Sequence, residues 1–313
     1  MVHRFVGGIA AVLLLLTSCG ESTPPQPPPE TSPASAAFPV TIDAANGTVT
    51  IDQRPERIVS LSPTATEMLF AIGAGDQLAA VDDQSNFPAD APVTDLSGFE
   101  PNVEAIASFE PDLVVYATEP GDLGASLGGL GIPALQQDAA PSLDDVYLQI
   151  DQLGTATGHV SEAETLADEM RADIDGIVES IDLPDPPLSF YHELDDTFYS
   201  VTSSTFIGQL YALTGLRNIA DEAKGAGGGY PQLSAEYIIQ ADPDLVFLAD
   251  TKCCKQSPRS VSKRPGWDRM AAVEHGGVIP LDDDVASRWG PRVVDYLRAI
   301  AGAVAHVQEQ QAA

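Results

Sequence analysis

Positive charge is scarce in this chain, with 15 Lys and Arg against 46 Asp and Glu and a net charge of -31. That balance argues against nucleic acid and anionic lipid surfaces as partners and fits solubility at a cell surface. Cysteine is scarcer still, three in 313 residues, so no multi-disulfide framework can hold the fold. Beyond the first residues the histidines are His159, His192, His275 and His306, and none has the spacing of a metal-ligand set. His192, next to Glu193, therefore reads as a structural histidine. No H-E-x-x-H occurs, and no nucleophile has a base close by in sequence. After the amino terminus no apolar run approaches the length needed to cross a bilayer.

What is present begins with "MVHRFVGGIAAVLLLLTSCG": a short basic start, an apolar run from Phe5 to Leu16, then small residues before Cys19. This is the pattern of a secretory signal, expected over residues 1–18. The "LTSC" ending resembles the bacterial lipobox, which makes Cys19 the expected lipidation site. Residues 19–38 are rich in Pro, Ser and Thr and nearly free of large apolar side chains. Such a segment buries too little surface to offset its ordering entropy and is expected to be a tether.

The body from residue 39 is long enough for two domains of ordinary size. In "RIVSLSPTATEMLFAIGAG" a short apolar strand passes through Ser62-Pro63 into an amphipathic helix. Pro63 suits a first helical turn, and Thr64 with Glu67 has capping-box spacing. Strands "LAAVDD" and "DLVVYA" alternate with helices, which predicts an α/β fold with mostly parallel sheets. In "SEAETLADEMRADIDGIVESI" the apolar residues keep a three-to-four spacing, and Ser161 with Glu164 would cap its start. This predicts one helix roughly 30 Å long at 1.5 Å per residue. Beyond "LPDPP" the plan repeats: "LSFYHEL" and "TFYSV" read as a hairpin, followed by a helix in "SSTFIGQLYALTG", a Gly-rich loop, "SAEYIIQA", "DLVFLA" and a last amphipathic helix from Val293 to about Val307.

The repetition is literal at one place. "NVEAIASFEPDLVV" at 102–115 and "SAEYIIQADPDLVF" at 234–247 set a Glu, an apolar helical stretch, an acid and Pro-Asp-Leu-Val in the same order, with Glu104 and Glu236 in matching positions. Taken with the lipobox, "RIVSLSPTATEMLFAIG", the long helix and "GPR" before the last helix, this order resembles the substrate-binding lipoproteins of ABC importers for iron–siderophore complexes, haem and vitamin B12. The resemblance covers essentially the whole chain after the tether. It implies two Rossmann-like α/β lobes, 39–158 and 183–313, joined by a linking helix over 159–182, with the ligand in the cleft between lobes. It further implies a non-enzyme that works as a monomer with an ABC permease dimer and its ATPase, carrying a non-covalently bound iron or cobalt chelate. Glu104 and Glu236 would dock on Arg residues of the two permease subunits, since a paired set of anions can meet a symmetric dimer. Each Glu also lies in the first turn of its helix, where a carboxylate favours the helix dipole. The rival expectation is an envelope enzyme or metal-handling protein on the same fold.

Ligands of parallel α/β sheets sit beyond the carboxyl ends of the strands. In the first lobe those loops offer Ser62, Pro63, Thr64, Asp83, Asn86, Phe87, Gly98, Phe99, Thr118 and Glu119. In the second they offer Phe198, Tyr199, Ser203, Tyr230, Lys252, Arg288, Trp289 and Arg292. "ASRWGPR" (286–292) is the richest of them: two Arg suit carboxylate recognition and the Trp gives a flat wall, whereas the competing reading pairs the Arg with "LDDD" and packs the Trp in the core. "GAGGGY" lacks the Lys-Ser/Thr ending of a P-loop and reads as a rim loop carrying Tyr230. Adjacent Cys253 and Cys254 would close a vicinal disulfide in an oxidising compartment, or else remain two thiols.

Overall fold

The computed structural model describes residues 37–182 and 185–312. The expected signal, the Cys19 lipidation site and nearly all of the tether lie outside the described residues. The described chain opens with a hairpin, β1 (Val40–Ala44) and β2 (Gly47–Ile51), paired antiparallel with Val40 opposite Ile51. The strands are joined by Ala45-Asn46, and Gly47, the first residue of β2, sits at φ +98°, which a side chain would resist. Sequence reading placed no strand here although the turn signal is strong.

The first lobe follows as β3 (Ile58–Leu61), α1 (Pro63–Ala71), β4 (Leu78–Val81), α2 (Val103–Ala107), β5 (Leu113–Tyr116), α3 (Leu123–Gly129) and β6 (Ala134–Gln136). Its sheet is parallel throughout, in the order β4-β3-β5-β6. The strands are short and almost wholly apolar because helices cover both faces, so no residue needs to face water.

Next come α4 (Leu143–Thr157) and α5 (Val160–Glu179), packed as a helical pair. The turn between them is Gly158 in the left-handed region at φ +80°. α5 is the expected long helix; its cap differs, because His159 is the N-cap residue and makes no side-chain cap bond, while Ser161 Oγ donates to Glu162.

The second lobe holds β7 (Ser189–Glu193), α6 (Phe206–Leu213), β8 (Arg217–Asn218), α7 (Ala235–Ala241), β9 (Leu245–Leu248), α8 (Pro258–Val261), α9 (Ala271–Glu274), β10 (Val278–Pro280), α10 (Asp283–Ser287) and α11 (Val293–Ala312). Its order β8-β7-β9-β10, also parallel, reproduces that of the first lobe, with the lobe's second strand outermost, then first, third and fourth. The sequence repeat is thus a repeat of topology. In both lobes the chain reverses its winding between the first and third strands, the place where loops part and leave a crevice.

Two local expectations are corrected. β7 is not half of a hairpin: it pairs in parallel with β8 on one side and β9 on the other, so neither edge is left for "TFYSV". Tyr199 makes an isolated antiparallel bridge to Gln232, and its carbonyl accepts the Leu194 N–H at 2.9 Å. At α1 there is no capping box from Thr64; Ser62 is the N-cap, its Oγ accepting the Ala65 N–H at 3.3 Å, and Pro63 is the first helical residue. That shift leaves the Glu67 carboxylate available for a different role.

Candidate ligand cleft between the lobes

Two adjoining cavities lie where the loops of the two sheets face each other. One, of about 440 Å³, is lined by Ala139–Pro141, Ser204–Ile207, Gly227–Tyr230 and Val285–Trp289. The other, of about 340 Å³, is lined by Leu61–Thr64, Asp82, Gln84, Gly98, Phe99, Ala117 and Thr118, with Asp284 and Ser287–Trp289 opposite. Ser287, Arg288 and Trp289 border both, so this segment is a partition between them.

The partition is fixed by polar bonds to the first lobe. Asp282 caps α10, its side chain accepting the Asp284 N–H at 2.9 Å. Arg288 then reaches across: its Nη1 donates to Glu67 Oε1 at 2.7 Å and to Asn86 Oδ1 at 3.0 Å, and its Nη2 to the Gln84 carbonyl at 2.9 Å. Arg292 Nε donates to the other Glu67 oxygen at 2.9 Å. The Trp289 indole N–H donates to Gln149 on α4 at 2.9 Å. Asn86 closes the circuit by donating to Asp284 Oδ2 at 3.0 Å. Glu67 is 3 % exposed and is met by two guanidinium groups. The same contact raises the Arg292 pKa further above its ordinary value, hydrogen bonding to Glu67 being the main cause.

This changes the reading of "ASRWGPR". Its Arg residues do not present unclaimed cations to a ligand; they hold the lobes together, and their main partner is Glu67, an acid from the other lobe. Arg288 still borders both cavities with its flank. Lys252 is also committed, its Nζ bonded to Asp282 at 2.6 Å and Asp284 at 2.7 Å. Phe87 lies beneath Arg292, with the guanidinium carbon 4.3 Å from the ring centroid, and faces a separate groove beside Phe70 and Pro88. Phe198 stacks on Trp267 with ring centroids 5.7 Å apart, so it belongs to the core of the second lobe. Tyr199, Asn86, Asp83 and Glu119 likewise lie outside both cavity linings, and Glu119 instead accepts the Tyr116 hydroxyl at 2.6 Å. Ser203 is bound to Asp221 at 2.7 Å.

Of the expected residues, the structure brings Ser62, Pro63, Thr64, Gly98, Phe99, Thr118, Tyr230, Arg288 and Trp289 to the cavities. Phe99 and Tyr230 are 76 % and 53 % exposed, open aromatic faces on opposite sides of the cleft. The Gly-rich rim is also there, through Gly227–Gly229. Asp82, Gln84, Phe206 and Ile207 were not anticipated. Asp82 was accessible to the strand-end rule, since it directly follows β4; Phe206 and Ile207 open a helix whose apolar run reads as core.

Cys253 and Cys254 are not bridged; both are free thiols. Their turn is shaped by Asp283, which accepts the backbone N–H groups of Thr251, Lys252 and Cys253. Removal from water and the neighbouring Cys254 push the Cys253 thiol up to about 12, which keeps it protonated. Among the described residues no group of three or more His, Cys, Asp and Glu is arranged to hold a metal ion, and no helix is long and apolar enough to cross a membrane.

Glu104 and Glu236 occupy the second position of α2 and α7. Each helix is capped by the residue two before it, Asn102 accepting from Ala105 N–H at 2.9 Å and Ser234 from Tyr237 N–H at 3.2 Å. Both carboxylates are exposed, at equivalent points on lobes of the same topology.

A sequence profile of the family described as "Periplasmic binding protein" matches residues 58–285, from the first strand of the first lobe into α10. The chain belongs to the periplasmic binding protein family. Among relatives of this periplasmic binding protein is YvrC of Bacillus subtilis, described as an uncharacterised ABC transporter substrate-binding lipoprotein, 31 % identical over 311 residues, 95 % of this chain and 96 % of that protein. A cobalamin-binding protein of Halobacterium salinarum is 31 % identical over 312 residues, 94 % of this chain and 82 % of its own length. The structure of the periplasmic heme-binding protein RhuT from Roseiflexus sp. RS-1, in apo form, superposes with a TM-score of 0.69 at 26 % identity, covering 80 % of this chain and 98 % of that one.

Proposed function

We propose that this periplasmic binding protein is the extracytoplasmic receptor of an ABC importer, anchored through Cys19, which captures a metal chelate in the interlobe cleft and presents it to the permease. The reading rests above all on one observation: two exposed carboxylates, Glu104 and Glu236, mark equivalent sites on two lobes of identical topology that flank a cleft. A pair so placed suits a partner built from two like subunits, and charge-assisted bonds to Arg would orient the docking. The B. subtilis relative is described as a substrate-binding lipoprotein over nearly the whole of this length, which supports the anchor and the compartment. The receptor itself makes and breaks no covalent bond; ATP hydrolysis by the partner's ATPase supplies the energy.

The cleft favours a corrinoid among the metal chelates. Its walls carry aromatic, aliphatic, hydroxyl, amide and glycine surfaces together with the acids Asp82 and Asp284, and the Arg and Lys residues that would greet an anionic chelate are already paired with Glu67, Asp282 and Asp284. The Halobacterium relative is described as binding cobalamin, which supports the same choice. The test is titration of the full chain with cobalamin, cobinamide, haem and ferric siderophores, followed by Trp fluorescence and calorimetric heat. One-to-one binding of a corrinoid is expected; capture of haem or a ferric siderophore alone overturns the ligand class.

A further inference from the structure

The cavity of the first lobe is lined by an acid, Asp82, that lies beside Ser85 and forms no ion pair among the described residues. Asp82 is the first residue after β4, at the carboxyl end of a parallel strand, and is 3 % exposed. Its backbone is spent on the sheet edge, the N–H donating to the Ser60 carbonyl at 2.9 Å and the carbonyl accepting from Ser85 N–H at 3.2 Å. Its side chain lines the cavity, and Oδ1 has no hydrogen-bond partner. A buried carboxylate oxygen left unpaired costs more than an ordinary hydrogen bond returns, so such an oxygen points to a missing donor.

The surroundings make that donor's chemistry specific. Across the cavity the cation that would neutralise Asp82 is Arg288, which is already engaged by Glu67, Asn86, Gln84 and Asp284. The remaining lining supplies hydroxyl and amide groups from Ser62, Thr64, Thr118 and Gln84 and an open ring from Phe99. Gly98 keeps the space beside the acid clear: a Cβ there would stand 2.7 Å from Asp82 Oδ2 and 2.7 Å from the Leu61 carbonyl. The cavity therefore holds unbalanced negative charge against a flat apolar wall.

We propose that Asp82 is a specificity-determining residue of the cleft: it accepts N–H donors from an amide-bearing arm of the chelate and excludes chelates that place a carboxylate there. The inference rests on the metal-chelate reading above and adds the discriminating group. Desolvation of Asp82, which holds its carboxyl above the usual carboxylate range, is the same burial that makes a second acid in this cavity unfavourable.

The test compares two probes on the full chain by calorimetry near pH 7.5: cobinamide with its amide arms intact, and the same corrinoid with those arms hydrolysed to carboxylates. The native protein is expected to bind the amide form at least roughly tenfold more tightly, the scale of one charge-assisted hydrogen bond gained or lost. Asp82→Asn and Asp82→Ser, each checked for native unfolding temperature, are expected to reduce that preference to about threefold or less, chiefly by admitting the carboxylate form. Undiminished preference in both folded variants overturns the role of Asp82 while leaving the receptor reading intact. Failure of the native protein to bind either corrinoid, with haem or a siderophore bound instead, overturns the receptor's proposed ligand and this inference together.

Discussion

Arg288 of the second lobe donates to Glu67 of the first lobe at 2.7 Å, with side-chain exposures of 8 % and 2 %. Because Arg292 shares the same carboxylate, a single helix residue in one lobe anchors the segment that divides the cleft of both. The lobes are therefore held in register by buried charge as well as by the α4–α5 pair.

Removing that anchor takes the carboxylate from Arg292 and leaves Arg288 with Asp284 alone as its acid partner. Glu67→Gln is expected to cost about 3–5 kcal/mol of stability, the range for breaking a buried ion pair from one side. Urea unfolding of the variant and the native chain measures it. A loss under about 1 kcal/mol would mean that the Arg side chains find water or other acceptors readily.

His192 gives a pH dependence with a definite sign. It is fully buried, and its Nδ1 lies 2.8 Å from the Tyr211 hydroxyl. Burial depresses its pKa to about 3 from the ordinary 6.5. Between those values the unfolded chain binds the proton and the folded chain does not, so folding loses up to about 1.4 kcal/mol per pH unit as pH falls below 6.5. Unfolding free energies at pH 7 and pH 5 should differ less in His192→Gln than in the native protein.

Asp250 acts in the opposite sense. It is buried beside Glu193, whose carboxylate is held by a bidentate bond to Arg264 with both contacts at 2.6 Å. Burial, then the charge of Glu193, raises the Asp250 pKa to about 7. The folded chain thus holds a proton that the unfolded chain releases above about pH 4, and stability falls as pH rises towards 7. Asp250→Asn is expected to be near neutral at about pH 4, where the acid is protonated in both states, and increasingly stabilising from there to pH 8, read by thermal unfolding across that range.

The exposed faces of Phe99 and Tyr230 are expected to carry chelate binding. Replacing either by Ala should weaken binding by roughly five- to thirtyfold, equivalent to about 1–2 kcal/mol, without lowering the unfolding temperature. An unchanged Kd in both variants would move the ligand out of these two cavities.

Docking separates from capture in a double variant. Glu104→Ala with Glu236→Ala should abolish ATP-dependent uptake in vesicles carrying the permease while leaving the calorimetric Kd within about twofold, since neither residue lines the cleft. Uptake at the native rate would remove these residues from the docking account.

The alternation of strand and helix, the repetition of lobes, the long helix and the two matched carboxylates are all legible in the order of residues. These are local or periodic properties: apolar runs, capping residues such as Asn102 and Ser234, and a motif stated twice. The tertiary structure alone decided what the cleft contains. Glu67 looked like a capping residue three positions after Thr64, yet it meets Arg288 and Arg292, more than 200 positions further along the chain. β7 looked like an arm of a hairpin, yet two parallel neighbours occupy both its edges. An Arg in a loop reads the same whether it greets a ligand or a buried acid; only the folded chain, by bringing distant opposite charges out of water together, chooses between them.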